Sequence, residues 1–188
     1  MRILRTYESF RIDVTISAAS EGTAVRPSLF RRLMNLWPPF FFNSIAVTEI
    51  ATDWSIVSVK LRRRFWNRNF VGTHFGGNLF AMTDPFWMLM LIHRLGDGYV
   101  VWDKAATIEF VAPGRGDVSA RFELTPTIVE ELRLAAKDGA KVLRWFDVDV
   151  KNDKDEIVAR VRKQVYVRRK RERSGEGAGG GFESMRLL

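Results

Sequence analysis

The stretch from Asn67 to Leu95 constrains this chain most. It opens with asparagines and glycines (NRNFVGTHFGGN) and from Leu79 is almost continuously apolar for sixteen residues, broken mainly by Thr83, Asp84, Pro85 and His93. A helix that is apolar all round is a buried helix. The expectation is therefore a glycine-rich loop leading into a central core helix that stops near Leu95-Gly96 and is kinked at Pro85. Asp84 stands seven residues after Gly77, which on one helix is roughly 10 Å and nearly two turns, so both would share a face. A lone carboxylate in such a helix either bonds a nearby donor for structural reasons or lies in a cleft where it does chemistry.

The rest of the chain supplies what wraps that helix. Pro27 suits a first helical turn, and Phe30, Leu33, Met34 and Trp37 recur at helical spacing, with Arg31, Arg32 and Asn35 opposite, before Pro38-Pro39. The ranges 45–51 and 54–63 read as strands joined at Thr52-Asp53, with Val57, Val59 and Leu61 on one face. Beyond the central helix, Trp102, Ala106, Ile108 and Phe110 share a parity. Pro113-Gly114-Arg115-Gly116 turns the chain into a strand carrying Val118, Ala120, Phe122 and Leu124. A helical or irregular stretch at 127–137 follows. Phe146, Val148 and Val150 mark the next strand, and Ile157, Ala159, Val161, Val165 and Val167 the last. Lys163 falls on that last apolar parity, where a strand end, a bulge or a polar pocket would each account for it. The order predicts an α+β fold, an antiparallel sheet of five to six strands around one buried helix.

The 188 residues fit one domain over 26–168, with a flexible leader at 1–25 and a basic, then Gly-rich, tail at 169–188. Phe10, Ile12, Val14 and Ile16 alternate, so a short strand competes with disorder in the leader. There is no cysteine, which excludes disulfides and thiolate metal sites, and His74 and His93 lack a carboxylate cluster, so no metal and no cofactor is expected. No secretory signal or membrane span is read, and a cytoplasmic location is expected. The net charge of +8 favours anionic partners, with cations concentrated at Arg62-Arg63-Arg64 and Arg168-Arg169-Lys170-Arg171. The bland reading of both runs is a solvated strand end or tail. A nucleic-acid partner is not expected, because no aromatics interleave with the basic tail.

The motifs resemble those of the hotdog-fold thioesterase superfamily, specifically phenylacetate-pathway-type thioesterases and an uncharacterised hotdog family beside them. That pattern is Asn-x-x-Gly-x-x-His-Gly-Gly with an acid seven residues on. Here the stretch reads Asn69-Phe70-Val71-Gly72-Thr73-His74-Phe75-Gly76-Gly77, then Asp84. The run 106–114 leading into 118–120 is similar as well, and the resemblance spans about residues 27–168. One departure stands out: Phe75 holds the place of the histidine before Gly-Gly, and His74 sits one place earlier. His74 either takes over that role through a shifted loop or is an ordinary loop residue.

The resemblance implies a hotdog fold, dimers or tetramers with sites at the subunit interface, and an acyl-CoA or acyl-carrier thioester as substrate. Asp84 would then be general base or nucleophile, Gly77 and Gly76 would let the substrate approach helix-start N–H groups, and Asn69 would orient water or the thioester oxygen. His74 and the cations Arg62, Arg63, Arg64 and Arg68 would contact substrate, the latter through CoA phosphates. Phe80, Met82, Phe86, Trp87 and Met90 either line an acyl pocket or are plain core. Gly77 and Asp84 would be too far apart along one helix to serve one carbonyl, so each would face the other's counterpart across a dimer. The competing reading is a non-catalytic hotdog protein that binds a fatty acyl group or acyl-CoA. A third, a basic nucleic-acid-binding protein, rests on charge and tail alone.

Overall fold

A computed structural model describes residues 26–171. The leader, its alternating Phe10–Ile16 run and the tail beyond residue 171 lie outside the described residues. Twelve elements follow in order. Helices α1 (Pro27–Leu36) and α2 (Pro38–Asn43) precede strands β1 (Ile45–Ile50) and β2 (Ile56–Leu61). After a single 3-10 turn (Phe65–Asn67) come α3 (Gly76–Ala81) and α4 (Phe86–Leu95), then β3 (Tyr99–Phe110) and β4 (Val118–Glu123). Helix α5 (Pro126–Ala136) and strands β5 (Val142–Asn152) and β6 (Ile157–Arg169) complete the chain. The six strands form one antiparallel sheet in the order β1-β2-β4-β5-β6-β3. The architecture is the α+β hotdog arrangement that the sequence predicts.

Alternation decides which face of the sheet is wet. Val57, Val59 and Leu61 of β2, Val118, Ala120 and Phe122 of β4, and Val161, Val165 and Val167 of β6 are all buried, with charged or polar neighbours between them. That apolar face receives α4, which buries Phe86, Trp87, Leu89, Met90, Leu91 and Leu95. Trp87 stacks on Phe146 at 4.7 Å between centroids, and Phe86 meets Phe122 at 5.1 Å. Each such side chain contributes about 1.5–3 kcal/mol by leaving water, so the helix is held from several sides at once. Phe80 lies partly buried against this core, while Met82, Phe86, Trp87 and Met90 belong to it.

Three expectations need correction. The central helix is not continuous. Helix α3 closes at Met82, and α4 begins only after Pro85, whose ring and missing N–H break the ladder. Asp84 therefore sits in the break, not within an apolar helix, and one unbroken helix no longer fixes its spacing from Gly77. The second concerns β3, where the register against β6 skips between Asp103 and Ala105, leaving Lys104 as a bulge. The bulge inverts parity, so Tyr99, Val101 and Asp103 turn inward before it, and Ala106 and Ile108 after it. Trp102 is consequently exposed, and so is Phe110 at the strand end. Helix α1 also differs in detail. Asn35 lies on its core side, exchanging two hydrogen bonds with the Val47 backbone (2.7 and 3.1 Å), while Leu33 and Trp37 face out.

Candidate active site

The site is built at the two ends of α3. At its start the chain runs through a loop that is tied to itself. The side-chain oxygen of Asn69 accepts from the N–H groups of Val71 (3.2 Å) and Thr73 (3.0 Å), and its amide donates to Thr73 Oγ1 (2.8 Å) and His74 O (3.3 Å). Every bonding direction of that amide is therefore used within the loop. Gly72, at φ +77°, takes the left-handed position that the loop requires.

His74 is 3% exposed. Its Nε2–H donates to the Gly116 carbonyl at 2.8 Å, and its backbone N–H donates to Gly114 O at 3.0 Å, so it clamps the loop to the turn between β3 and β4. Nδ1 is buried without a hydrogen-bond partner among the described residues. Burial holds the imidazole below its ordinary pKa of 6.5, with the Gly116 carbonyl acting in the opposite direction.

Phe75 occupies the N-cap of α3 and brings no capping side-chain bond. A Cβ placed on Gly77 would lie 2.4 Å from the Phe75 ring, and one on Gly76 would lie 2.7 Å from the Phe110 ring. The two aromatics thus close down on the backbone of the glycine pair, and a side chain at either position would displace a ring. Arg62, Arg64 and Arg68 are exposed around this loop. Arg63, grouped from sequence with these phosphate-binding cations, instead donates to Gly72 O at 2.8 Å.

At the other end of α3 lies a charged cluster that the sequence signalled only as an anomaly. Lys163, 2% exposed, donates to Asp84 Oδ1 at 2.6 Å, to the Asp84 backbone carbonyl, and to Asp103 Oδ2 at 2.9 Å. An ammonium has three donors, and all three are used. A polar pocket is thus the reason for a lysine on the apolar parity of β6. The side chain of Asp84 is 56% exposed, so one carboxylate oxygen is bonded to the lysine and the other is open to approach. Asp103, 24% exposed, is delivered inward by the bulge. Burial raises its pKa from 3.8, partly offset by Lys163, and its Oδ1 has no partner among the described residues. No helical motif pairs Asp103 with Asp84, so only the β3 bulge, invisible to a parity count, brings them together.

Helix α3, six residues and about 9 Å long, carries the glycine pair in its first turn, and the Asp84 cluster lies beyond its far end. Among the described residues no group of three or more His, Asp or Glu side chains could hold a metal ion. No helix among them is long and apolar enough to cross a membrane.

Comparison with known proteins places the fold. Residues 26–167 match the family described as "Domain of unknown function (DUF4442)". No curated protein matches the chain by sequence. Among solved structures, a probable thioesterase of Pseudomonas aeruginosa superposes with a TM-score of 0.68 at 18% identity, covering 79% of this chain and 99% of the other. A thioesterase of Haemophilus influenzae gives 0.58 at 13% identity, covering 81% and 97%. The PaaI protein from the phenylacetic acid degradation operon of E. coli gives 0.52 at 18% identity, covering 72% and 88%. At these identities the likeness concerns the fold.

Proposed function

Because this chain belongs to the DUF4442 family, a hotdog-like family whose fold it shares with thioesterases, we propose that it hydrolyses an acyl thioester, with acyl-CoA as the substrate class. The site is completed by a second copy of the chain. The observation that carries this reading is the pairing of opposites on α3: two glycines under aromatic rings at one end, and an exposed carboxylate held by a buried lysine at the other.

In the proposed reaction Asp84 accepts a proton from water as the water oxygen bonds to the thioester carbon. The carbonyl oxygen gains charge and is met by the N–H groups of Gly76 and Gly77 of the facing subunit. The C–S bond then breaks, and the thiolate takes up the proton to leave as free thiol beside a carboxylic acid. Lys163 fixes one oxygen of Asp84 and its backbone, leaving the other oxygen aimed outward. Asn69 and His74 shape the loop that presents the glycines, and Arg62, Arg64 and Arg68 meet the CoA phosphates.

The subunit contact is proposed along β3. It is an edge strand of twelve residues with Val100, Trp102 and Phe110 exposed, and an unpaired edge of that length is a template for a second copy. A homodimer, or a homotetramer built from two, follows. The proposed reaction belongs to the cytoplasm, where acyl-CoA is met.

A second reading has its own support. Phe75 stands where related motifs carry histidine, and its ring covers Gly77, which suits a protein that binds an acyl group without turning it over. One experiment separates the two: a panel of acyl-CoA esters of graded chain length, with wild type beside Asp84→Asn. Hydrolysis should fall about a hundredfold or more in the variant, the scale of a lost general base. Saturable binding of the same esters with no release of CoA would establish the binding protein instead. Neither turnover nor binding would remove both.

A further inference from the structure

Helix α1 is apolar on two sides. Phe30 and Met34 pack against the core, whereas Leu29, Leu33 and Leu36, at i, i+4 and i+7, form a stripe that is more than half exposed. Helix α2 buries Phe40 and extends the outer surface with Phe41 and Phe42. The surface continues into the 3-10 turn, where Phe65 and Trp66 are exposed. Trp66 Nε1 donates to Phe42 O at 3.1 Å. Buried Asn67 donates to Asn43 O (3.0 Å) and Arg62 O (2.8 Å), so the arginine run is anchored at the end of α2.

The charge on this face is mostly basic, with Glu49 lining a surface cleft beside Arg26 and Arg31, and Asp117 beside Lys60 and Arg63. Residues 26–48 and 54–83 contain no Asp or Glu, but carry three arginines (Arg26, Arg31, Arg32) and five cations (Lys60, Arg62, Arg63, Arg64, Arg68). Lys60 is engaged by Asp117 and Arg63 by a loop carbonyl. Arg26, Arg32 and Arg62 are exposed and have no carboxylate within 4.0 Å among the described residues. Seven large apolar side chains left exposed on these neighbouring elements mark an interaction site. A second copy is a poor occupant, because a two-fold interface repeats the same patch and would set these arginines against one another. A nucleic acid would meet the arginines and leave the leucine stripe in water.

We propose that the α1–α2 face, with Phe65 and Trp66, docks on an anionic lipid surface. The leucines and phenylalanines enter the headgroup–acyl boundary, and Arg26, Arg32 and Arg62 meet lipid phosphates, as an interfacial amphipathic segment does. The proposal shares Arg62 with the catalytic reading, but the leucines on which it is tested take no part in that reading.

The test is sedimentation of the full-length chain with vesicles of equal parts phosphatidylglycerol and phosphatidylcholine, against vesicles of phosphatidylcholine alone. Wild type should partition to the anionic vesicles about tenfold more strongly or better, and lose that preference as salt rises. Leu33→Glu/Leu36→Glu should lower anionic-vesicle binding about tenfold or more while leaving the melting temperature near wild type, because both side chains are exposed. Leu33→Ala/Leu36→Ala should lower it less, in the same direction. Wild-type protein that stays in the supernatant with anionic vesicles overturns the proposal. So does undiminished binding by the glutamate variant, which would assign the contact to the basic charge elsewhere. A third contrary result is a smaller oligomer in the glutamate variant with no vesicle binding by wild type, which would assign the face to a second copy.

Discussion

At the scale of the residue, Lys163 is the most consequential side chain in the molecule. A buried ammonium is costly unless every proton finds an acceptor, and here two aspartates and a carbonyl supply them. Lys163→Met should destabilise the fold by about 1–3 kcal/mol, less than a fully buried pair would lose because Asp84 can turn to water. Chemical denaturation measures it, and an unchanged midpoint would deny the cluster a structural role. Parity made Lys163 conspicuous in the sequence, but its acceptors come from a helix break and a bulge, neither of which has a period.

His74 gives the clearest pH dependence. Its folded pKa lies below 6.5, so the unfolded chain binds more protons between those values, and stability falls as pH drops below about 6.5. Burial is the physical cause, and protonation would place an N–H at Nδ1, which has no partner among the described residues. His93, lowered by burial while stacked on Trp54, adds in the same direction. Denaturation midpoints between pH 7.5 and pH 5.5 should fall for wild type, and the slope should flatten in His74→Gln. An equal slope in the variant would place the effect elsewhere.

At the scale of the element, α3 decides whether a site exists. Gly77→Ala should cost little stability, because alanine gains about 1 kcal/mol in a helix while the displaced Phe75 ring has solvent to move into. Hydrolysis should nevertheless fall about tenfold or more, since a methyl group and a shifted ring would stand over the N–H groups that receive the oxyanion. Equal activity in that variant would free the glycines from the chemistry. The Gly-Gly pair, the stop at Gly96 and the six alternating strands were all legible, because each rests on local chemistry: permitted φ, missing side chains, period two. The break before Pro85 was read as a kink within one helix. Proline removes one hydrogen bond either way, and whether the helix bends or stops depends on what packs around it, here Thr83 turning back to Phe80 O at 2.8 Å.

At the scale of the whole molecule, the proposed second copy would pair along the sheet edge at β3 and join the two ends of α3. Trp102→Lys should weaken self-association about a hundredfold or more by placing a cation on the edge, as light scattering across concentration would record. A wild type that is monomeric and active would remove the shared site. The fold itself was readable because one buried helix and alternating strands admit few arrangements. The site was readable only as a motif. Where Phe75 replaces histidine, the sequence showed a departure, but the closure of its ring over Gly77 is a tertiary fact.

The measurement that reaches the central claim most directly is subunit complementation. Asp84→Asn and Gly77→Val should each be inactive toward acyl-CoA, one for want of a base and the other for want of room at the helix start. Unfolded together and refolded as a mixture, they should regain about one quarter of wild-type activity, since half the dimers are mixed and one of their two sites is intact. No recovery, with mixed dimers demonstrated by mass, would contradict a site shared between the start of one α3 and the Asp84 of its partner.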